Sequence, residues 1–166
     1  MLSELFADLW RRAPKWARRL GALLSESRFT VTVGAVVVDS SGRVLLLHHR
    51  FRSGAGWGIP GGFMRPREQP EDALRRELSE EIGLDVEIAG VAFIRALQKY
   101  RQVEIIFRCA PKGTPVPRSF EITRAEWFEL NSLPAGLSAD QQALIRRALD
   151  SDQRRGGGQC SVNVED

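Results

Sequence analysis

A chain of 166 residues is one ordinary domain's worth of protein, long enough to bury a core without disulfides or a structural metal. Hydrophobic residues at 43% and charged residues at 27% argue against wholesale disorder and against a membrane protein. The 24 basic side chains against 21 acidic ones are too slight an excess for a nucleic-acid footprint, so no nucleic-acid partner is expected.

The first segment carries Leu2, Leu5, Phe6, Leu9, Trp10, Ala13, Ala17, Leu20 and Leu24 at helical spacing with Arg and Lys opposite, which predicts a basic amphipathic helical extension over residues 1–27. Pro14 is expected to kink or split it. Its apolar face suits packing against the domain or a partner subunit, as in a homodimer; a membrane-surface helix is the competing reading. Asp8, Arg11, Arg12, Lys15, Arg18 and Arg19 interrupt any signal-peptide core or membrane span. With Cys109 and Cys160 at no metal-binding or disulfide spacing, a reduced, cytoplasmic setting without membrane association is expected.

From Phe29 to Val38 the run is β-branched and apolar, Asp39-Ser-Ser-Gly42 supplies turn chemistry, and Val44 to Arg50 resumes an extended pattern, together predicting a β-hairpin. Residues 53–62 are dense in glycine, as where backbone must approach a ligand. Pro70, with Glu71 and Asp72 behind it, opens a helix that runs to about Ile82 and stops at Gly83. Extended runs follow at about Val86 to Leu97, Gln102 to Cys109 and Glu126 to Leu130, then a helix from about Ala139 to Leu149. A mixed α/β domain over residues 28–150 results, and the polar, Gly-rich tail at 151–166 is expected to be flexible.

On the central helix Glu77, Glu80 and Glu81 stand at i, i+3 and i+4, which places three carboxylates on one face. Each like-charged pair costs roughly 0.2–0.5 kcal/mol, and the helix C-terminus beside them adds to the penalty. Arg76 is expected to serve only one or two of these carboxylates. Hard oxygen ligands suit Mg²⁺, with Mn²⁺ as an alternative, and such ions keep substrate phosphates as further ligands. A solvated acidic face is the competing reading of three glutamates taken alone.

The surroundings decide between them. Gly62, Glu68, Arg76, Glu77, Leu78, Glu80, Glu81, Gly83 and Leu84 resemble the Nudix box G-x5-E-x7-R-E-U-x-E-E-x-G-U at every defined position. At ordinary residue frequencies that coincidence has a chance of about one in a billion from a given start. The resemblance implies a Nudix-type α/β/α sandwich with a mixed β-sheet, and a hydrolase that cleaves a phosphoanhydride in a nucleoside diphosphate linked to another moiety, such as ADP-ribose or a nucleotide sugar. A nucleoside-triphosphate sanitising pyrophosphohydrolase and a non-catalytic nucleotide-sensing module are the alternatives.

Carried over residue by residue, Glu80 and Glu81 resemble metal ligands, Glu77 a ligand or water-activating base, and the Gly61 carbonyl a further ligand. Arg76 resembles the organiser of the box carboxylates, Glu68 included. Gly62 allows a tight approach and Gly83 the helix stop. Many members add a later carboxylate, for which Glu126, just before Trp127, is the candidate and Glu121 the competitor. Where many relatives have an acidic residue and a glycine, this chain has Arg65 and Arg67. Outside the box, Arg50 and Arg52 are placed to meet substrate phosphate, and Trp57 and Phe63 either flank a base or pack. His48 and His49 end an apolar strand and read as strand-end packing.

Overall fold

The computed structural model describes residues 10–11, 13–18, 28–52, 56–154 and 163–165. The strands are β1 (Thr30–Val37), β2 (Val44–His49), β3 (Trp57–Gly58), β4 (Gly61–Phe63), β5 (Asp85–Leu97), β6 (Gln102–Lys112), β7 (Ile122–Phe128) and β8 (Asn163–Glu165). The helices are α1 (Pro70–Ile82), between β4 and β5, and α2 (Ala139–Arg154), after β7. Among the described residues the strands form a mixed sheet in the order β4-β1-β6-β5-β8 and a smaller sheet in the order β3-β2-β7. β1–β6 and β5–β8 are parallel pairs; the remaining pairs are antiparallel.

The stretches 33–37 of β1 and 44–47 of β2 are continuously apolar because both faces are covered. Val33, Ala35, Val37, Leu45 and Leu47 pack with Ala73, Leu74, Leu78 and Ile82 of α1. Val36, Val44 and Leu46 face the other way, onto Leu144, Ile145 and Ala148 of α2. Helices therefore lie on both sides of the strands, which is the expected sandwich, and two-sided burial gives continuous rather than alternating hydrophobicity.

The expected hairpin is not a ladder. β1 has β4 on one edge and β6 on the other, so β2 cannot pair along it and joins the second sheet instead. One isolated bridge, Val38 to Val44, links the two at the turn. The turn itself forms as its chemistry requires: the Asp39 carboxylate accepts the backbone N–H groups of Ser41 and Arg43, both at 2.9 Å, and Gly42 takes φ +80°.

Helix α1 keeps its expected ends. Pro70 occupies the first turn, and Gly83 at φ +61° closes it; Gly83 N–H donates to Ser79 O and Leu84 N–H to Leu78 O, a Schellman arrangement. The loop before β7 covers the last carbonyls, with Val116 N–H on Ile82 O and Arg118 N–H on Glu81 O, each at 2.8 Å. Its Arg118 guanidinium lies over Gly83, supplying the positive charge that the last turn of α1 lacks.

At the termini, Pro14 stands between helical residues 10–11 and a helical turn at 15–18, as expected of a split helix; the rest of the predicted extension lies outside the described residues. α2 continues past Leu149 to Arg154, and Asn163–Glu165 pairs parallel with β5. Main-chain pairing to an open sheet edge needs no apolar side chains, so composition did not reveal it. Among the described residues no helix is long and apolar enough to cross a membrane.

Candidate active site

Helix α1 presents its polar face to the turn that ends β4. Arg76 is the hub: its Nε and Nη2 donate to the two Glu68 oxygens at 2.8 and 2.9 Å, Nη1 to Glu77 at 2.6 Å, and Nη2 also to the Phe63 carbonyl at 3.0 Å. Nη1 further reaches Glu80 at 3.4 Å. The expectation that Arg76 serves one or two carboxylates is thus corrected to three, because the planar fork carries five donors. The Arg76 hydrogen bonds bring the Glu68 carboxyl down to about 2, while those to Glu68, ahead of Glu77, raise Arg76 above its ordinary value.

Glu80 is exposed and is also held by Arg65, 3.2 Å from both of its oxygens. Arg65, which departs from many relatives, is therefore the second counter-ion of the box. Arg67 adopts φ +70° in the adjoining turn.

Glu81 differs from the others. It is half-buried, its Oε2 accepts the Gly61 N–H at 3.4 Å, and its pKa is pushed up to about 7, first by burial and then by the nearby charges of Glu77 and Glu121, against the pull of Gly61 and Arg52. Glycine is required at two positions beneath it. Gly61 takes φ +150°, and a Cβ there would run into the Val33 carbonyl; at Gly62 a Cβ would occupy the place of the Glu77 carboxylate. Glu77 and Glu81 consequently lie directly against the β4 backbone.

A divalent cation fits this chemistry. Glu81 is a half-buried carboxylate whose burial and neighbouring acids raise its proton affinity, and a cation that favours hard oxygen donors would relieve that crowding. As the side chains stand, no three carboxylates among the described residues encircle an ion; Glu77 and Glu80 are engaged by Arg76 and Arg65.

The later carboxylate is placed differently from expectation. Glu126 pairs across the sheet with Leu46, whose side chain packs toward α2, so Glu126 stands on the face away from α1 and meets Arg124 at 3.3 Å. Glu121, in contrast, acts on Glu81. The two arginines also divide: Arg52 lies within the field of Glu81 and Glu104, whereas Arg50 donates to the Phe120 carbonyl at 3.1 Å and covers its ring. Trp57 is buried in the α2-side core and so packs. His48 meets Thr123 Oγ1 at 2.7 Å, and burial drops the His49 pKa to about 4, both in keeping with strand-end packing.

Beside the carboxylates opens a cavity of about 230 Å³, with Gly61, Gly62 and the exposed Phe63 at its mouth and Thr32, Arg52, Gln102, Glu104 and Gln141 among its walls. Sequence reasoning missed its polar lining. The available signal was the pair of opposite charges, Arg95 and Glu104, each with apolar neighbours on both sides in its strand.

With this geometry in place, comparison with known proteins gives a consistent result: the NUDIX domain family profile matches residues 28–148. The chain belongs to the Nudix family. Over 121 residues it is 34% identical to a MutT-like protein of Streptomyces ambofaciens, covering 73% of this chain and 77% of that one. It is 38% identical over 114 residues to an RNA pyrophosphohydrolase of Pseudomonas putida, covering 67% and 66% respectively. Against the m7GpppN-mRNA hydrolase dcap-2 of Caenorhabditis elegans, identity is 30% over 143 residues, covering 80% of this chain but 18% of that much longer protein. In fold it is similar to an ADP-ribose pyrophosphatase from Streptococcus suis, with TM-score 0.64, 22% identity and coverage of 83% of this chain and all of that one. Membership of the Nudix family supports hydrolase activity on phosphoanhydrides, and Nudix hydrolases generally need divalent metal ions.

Proposed function

We propose that this chain is a Mg²⁺-dependent pyrophosphohydrolase that cleaves the phosphoanhydride of a nucleoside diphosphate linked to another moiety, of the ADP-ribose or nucleotide-sugar kind. The observation that carries this reading is Glu81: a half-buried carboxylate crowded by Glu77 and Glu121 and held by the N–H of Gly61, which lines a cavity of nucleoside dimensions.

Glu77, Glu80, Glu81 and the Gly61 carbonyl would hold the metal, which when bound polarises the phosphoryl groups and stabilises charge on the leaving phosphate. Arg76 keeps Glu68 ionised and holds both Glu68 and Glu77 in place through its hydrogen bonds, and Arg52 lends positive charge on the cavity side. Glu77 or Glu81 orients the attacking water and takes up its proton. Two phosphate-bearing fragments leave. A reduced, cytoplasmic setting suits the buried free thiol of Cys109.

A second reading follows from the relatives named as an m7GpppN-mRNA hydrolase and an RNA pyrophosphohydrolase: the same site would act on a phosphoanhydride carried by RNA. It is favoured by the exposed pair Phe51 and Phe120, with ring centroids 5.9 Å apart and Arg50 over Phe120, a surface on which a further base can stack.

The test is product release from ADP-ribose, nucleotide sugars, dinucleoside polyphosphates, nucleoside triphosphates and a 5′-triphosphorylated oligoribonucleotide, with and without Mg²⁺, comparing wild type with Glu81→Gln. Metal-dependent turnover that the variant loses is expected. A variant turning over at the wild-type rate would sink the assignment.

A further inference from the structure

The back wall of the cavity is a network that pairing at the α1 face does not require. Arg95 on β5 is 8% exposed. It donates through Nε to Glu104 at 2.6 Å, and through Nη1 and Nη2 to both Asp140 oxygens at 2.6 and 2.8 Å. Arg95 and Glu104 are direct cross-strand partners, and Asp140 lies in the first turn of α2. Gln102 Nε2 bridges Thr32 Oγ1 at 2.8 Å and the other Glu104 oxygen at 3.2 Å. Each Glu104 oxygen thus accepts one hydrogen bond from the wall. A carboxylate has roughly four acceptor sites, so about half of its capacity is left at the cavity.

We propose that Glu104 is the residue by which this chain reads the nucleoside of its substrate, accepting two adjacent hydrogen-bond donors from it, with Arg95 and Asp140 as positioning residues. The inference rests on the nucleoside-diphosphate reading above and assigns the group that selects the nucleoside.

Three observations support this. First, the cavity shares Gly61 and Gly62 with the carboxylate site, so a nucleoside seated in it directs its 5′-phosphates at α1. Second, about 230 Å³ is below the roughly 300–1,000 Å³ of pockets for drug-sized molecules, and suits one nucleoside rather than both halves of the substrate. Third, a carboxylate that accepts a hydrogen bond from a buried arginine offers its remaining lone pairs to the cavity as acceptors.

Such an acceptor matches a specific chemistry. Guanine has two neighbouring donors on one edge, its imino and 2-amino groups. In adenine and cytosine the amino group adjoins an acceptor nitrogen, and in uracil the imino group lies between carbonyls. The ribose 2′,3′-diol is the other nucleoside feature with two adjacent donors. Loss of a bidentate contact to such a group weakens binding on the order of tenfold to a hundredfold.

The test is equilibrium binding, by calorimetry in the presence of Mg²⁺, of GMP, IMP, AMP and 2′,3′-dideoxy-GMP to wild type, Glu104→Gln and Glu104→Asp. IMP lacks the amino donor and dideoxy-GMP the diol. Wild type is expected to bind GMP at least about tenfold more tightly than one of these two analogues, which identifies the group read, and the ratio should fall to within about twofold in both variants. Glu104→Asp keeps the charge opposite Arg95 while withdrawing it from the cavity, so it serves if Glu104→Gln fails to fold. Equal wild-type affinities for all four nucleotides, or a ratio that survives in the folded variants, would overturn the proposal. Failure of all four to bind, alongside Glu81-dependent turnover of the substrate panel, would overturn it too while leaving the hydrolase reading in place.

Discussion

Replacing Arg95 with methionine fills a similar volume and removes the charge that backs Glu104 in the wall of the cavity. Its two acidic partners fare differently. The Asp140 side chain is 57% exposed and rehydrates, whereas Glu104 is 19% exposed and keeps the Gln102 hydrogen bond and the more distant charge of Arg52. The loss therefore concentrates on Glu104. Breaking a buried pair by removing one member costs about 3–5 kcal/mol, and the lower end applies because Glu104 borders a cavity that water can enter. At roughly 2–4 °C per kcal/mol for a chain of this size, about 3 kcal/mol lowers the melting temperature by about 6–12 °C. Urea unfolding should show the midpoint falling with an unchanged slope. Adding Glu104→Gln in the same chain removes the stranded charge and should recover about 2 kcal/mol, a coupling that a double-mutant cycle isolates. An Arg95→Met variant within about 1 kcal/mol of wild type, or one that Glu104→Gln does not rescue, would refute the claim that the network is buried and electrostatically coupled.

Two further outcomes follow from the α1 face. Glu81 is raised from 4.5 to about 7, so the folded, metal-free chain holds a proton that the unfolded chain releases; this stability is fully present below about pH 4.5 and lost as pH rises through about 7, a difference on the order of 3 kcal/mol. Melting curves without divalent metal should show wild type losing stability between about pH 5 and pH 8 relative to Glu81→Gln, and a constant difference between the two would refute the shift. Gly83→Ala places a side chain at φ +61° and against Arg118, and should cost about 1 kcal/mol or more in urea unfolding; equal stability would mean that the left-handed cap is dispensable.

How much of this was legible in the sequence depends on the distance over which each feature is determined. The ends of α1 were readable because Pro70 and Gly83 act on their own turns, and the turn at Asp39 was readable for the same reason. The hairpin was not, because the edges of β1 are claimed by β4 and by β6, and β6 begins some seventy residues later in the chain. Spacing on the helix identified Glu77, Glu80 and Glu81, yet it could not show that Arg76 also reaches Glu68 eight residues back, nor that Arg65 lies over Glu80. Glu126 was chosen over Glu121 by its position before a tryptophan. The face on which it lies is fixed by its cross-strand partner Leu46, information that a linear motif lacks.

The division between what could and could not be read follows from the chemistry of the two halves of the site. Holding metal and phosphate requires several oxygens within one turn of helix and a close backbone, conditions that a single continuous segment meets. Discriminating one nucleoside from another requires donors and acceptors around the perimeter of a planar ligand, which no single segment can supply. Here that perimeter draws on Thr32 of β1, Gln102 and Glu104 of β6, and Gln141 of α2, whose Oε1 accepts the Ile59 N–H at 3.1 Å. Opposite charges on neighbouring strands, each flanked by apolar residues, are the trace such a wall leaves in sequence. Arg95 and Glu104 leave that trace because an unpaired charge could not be kept there.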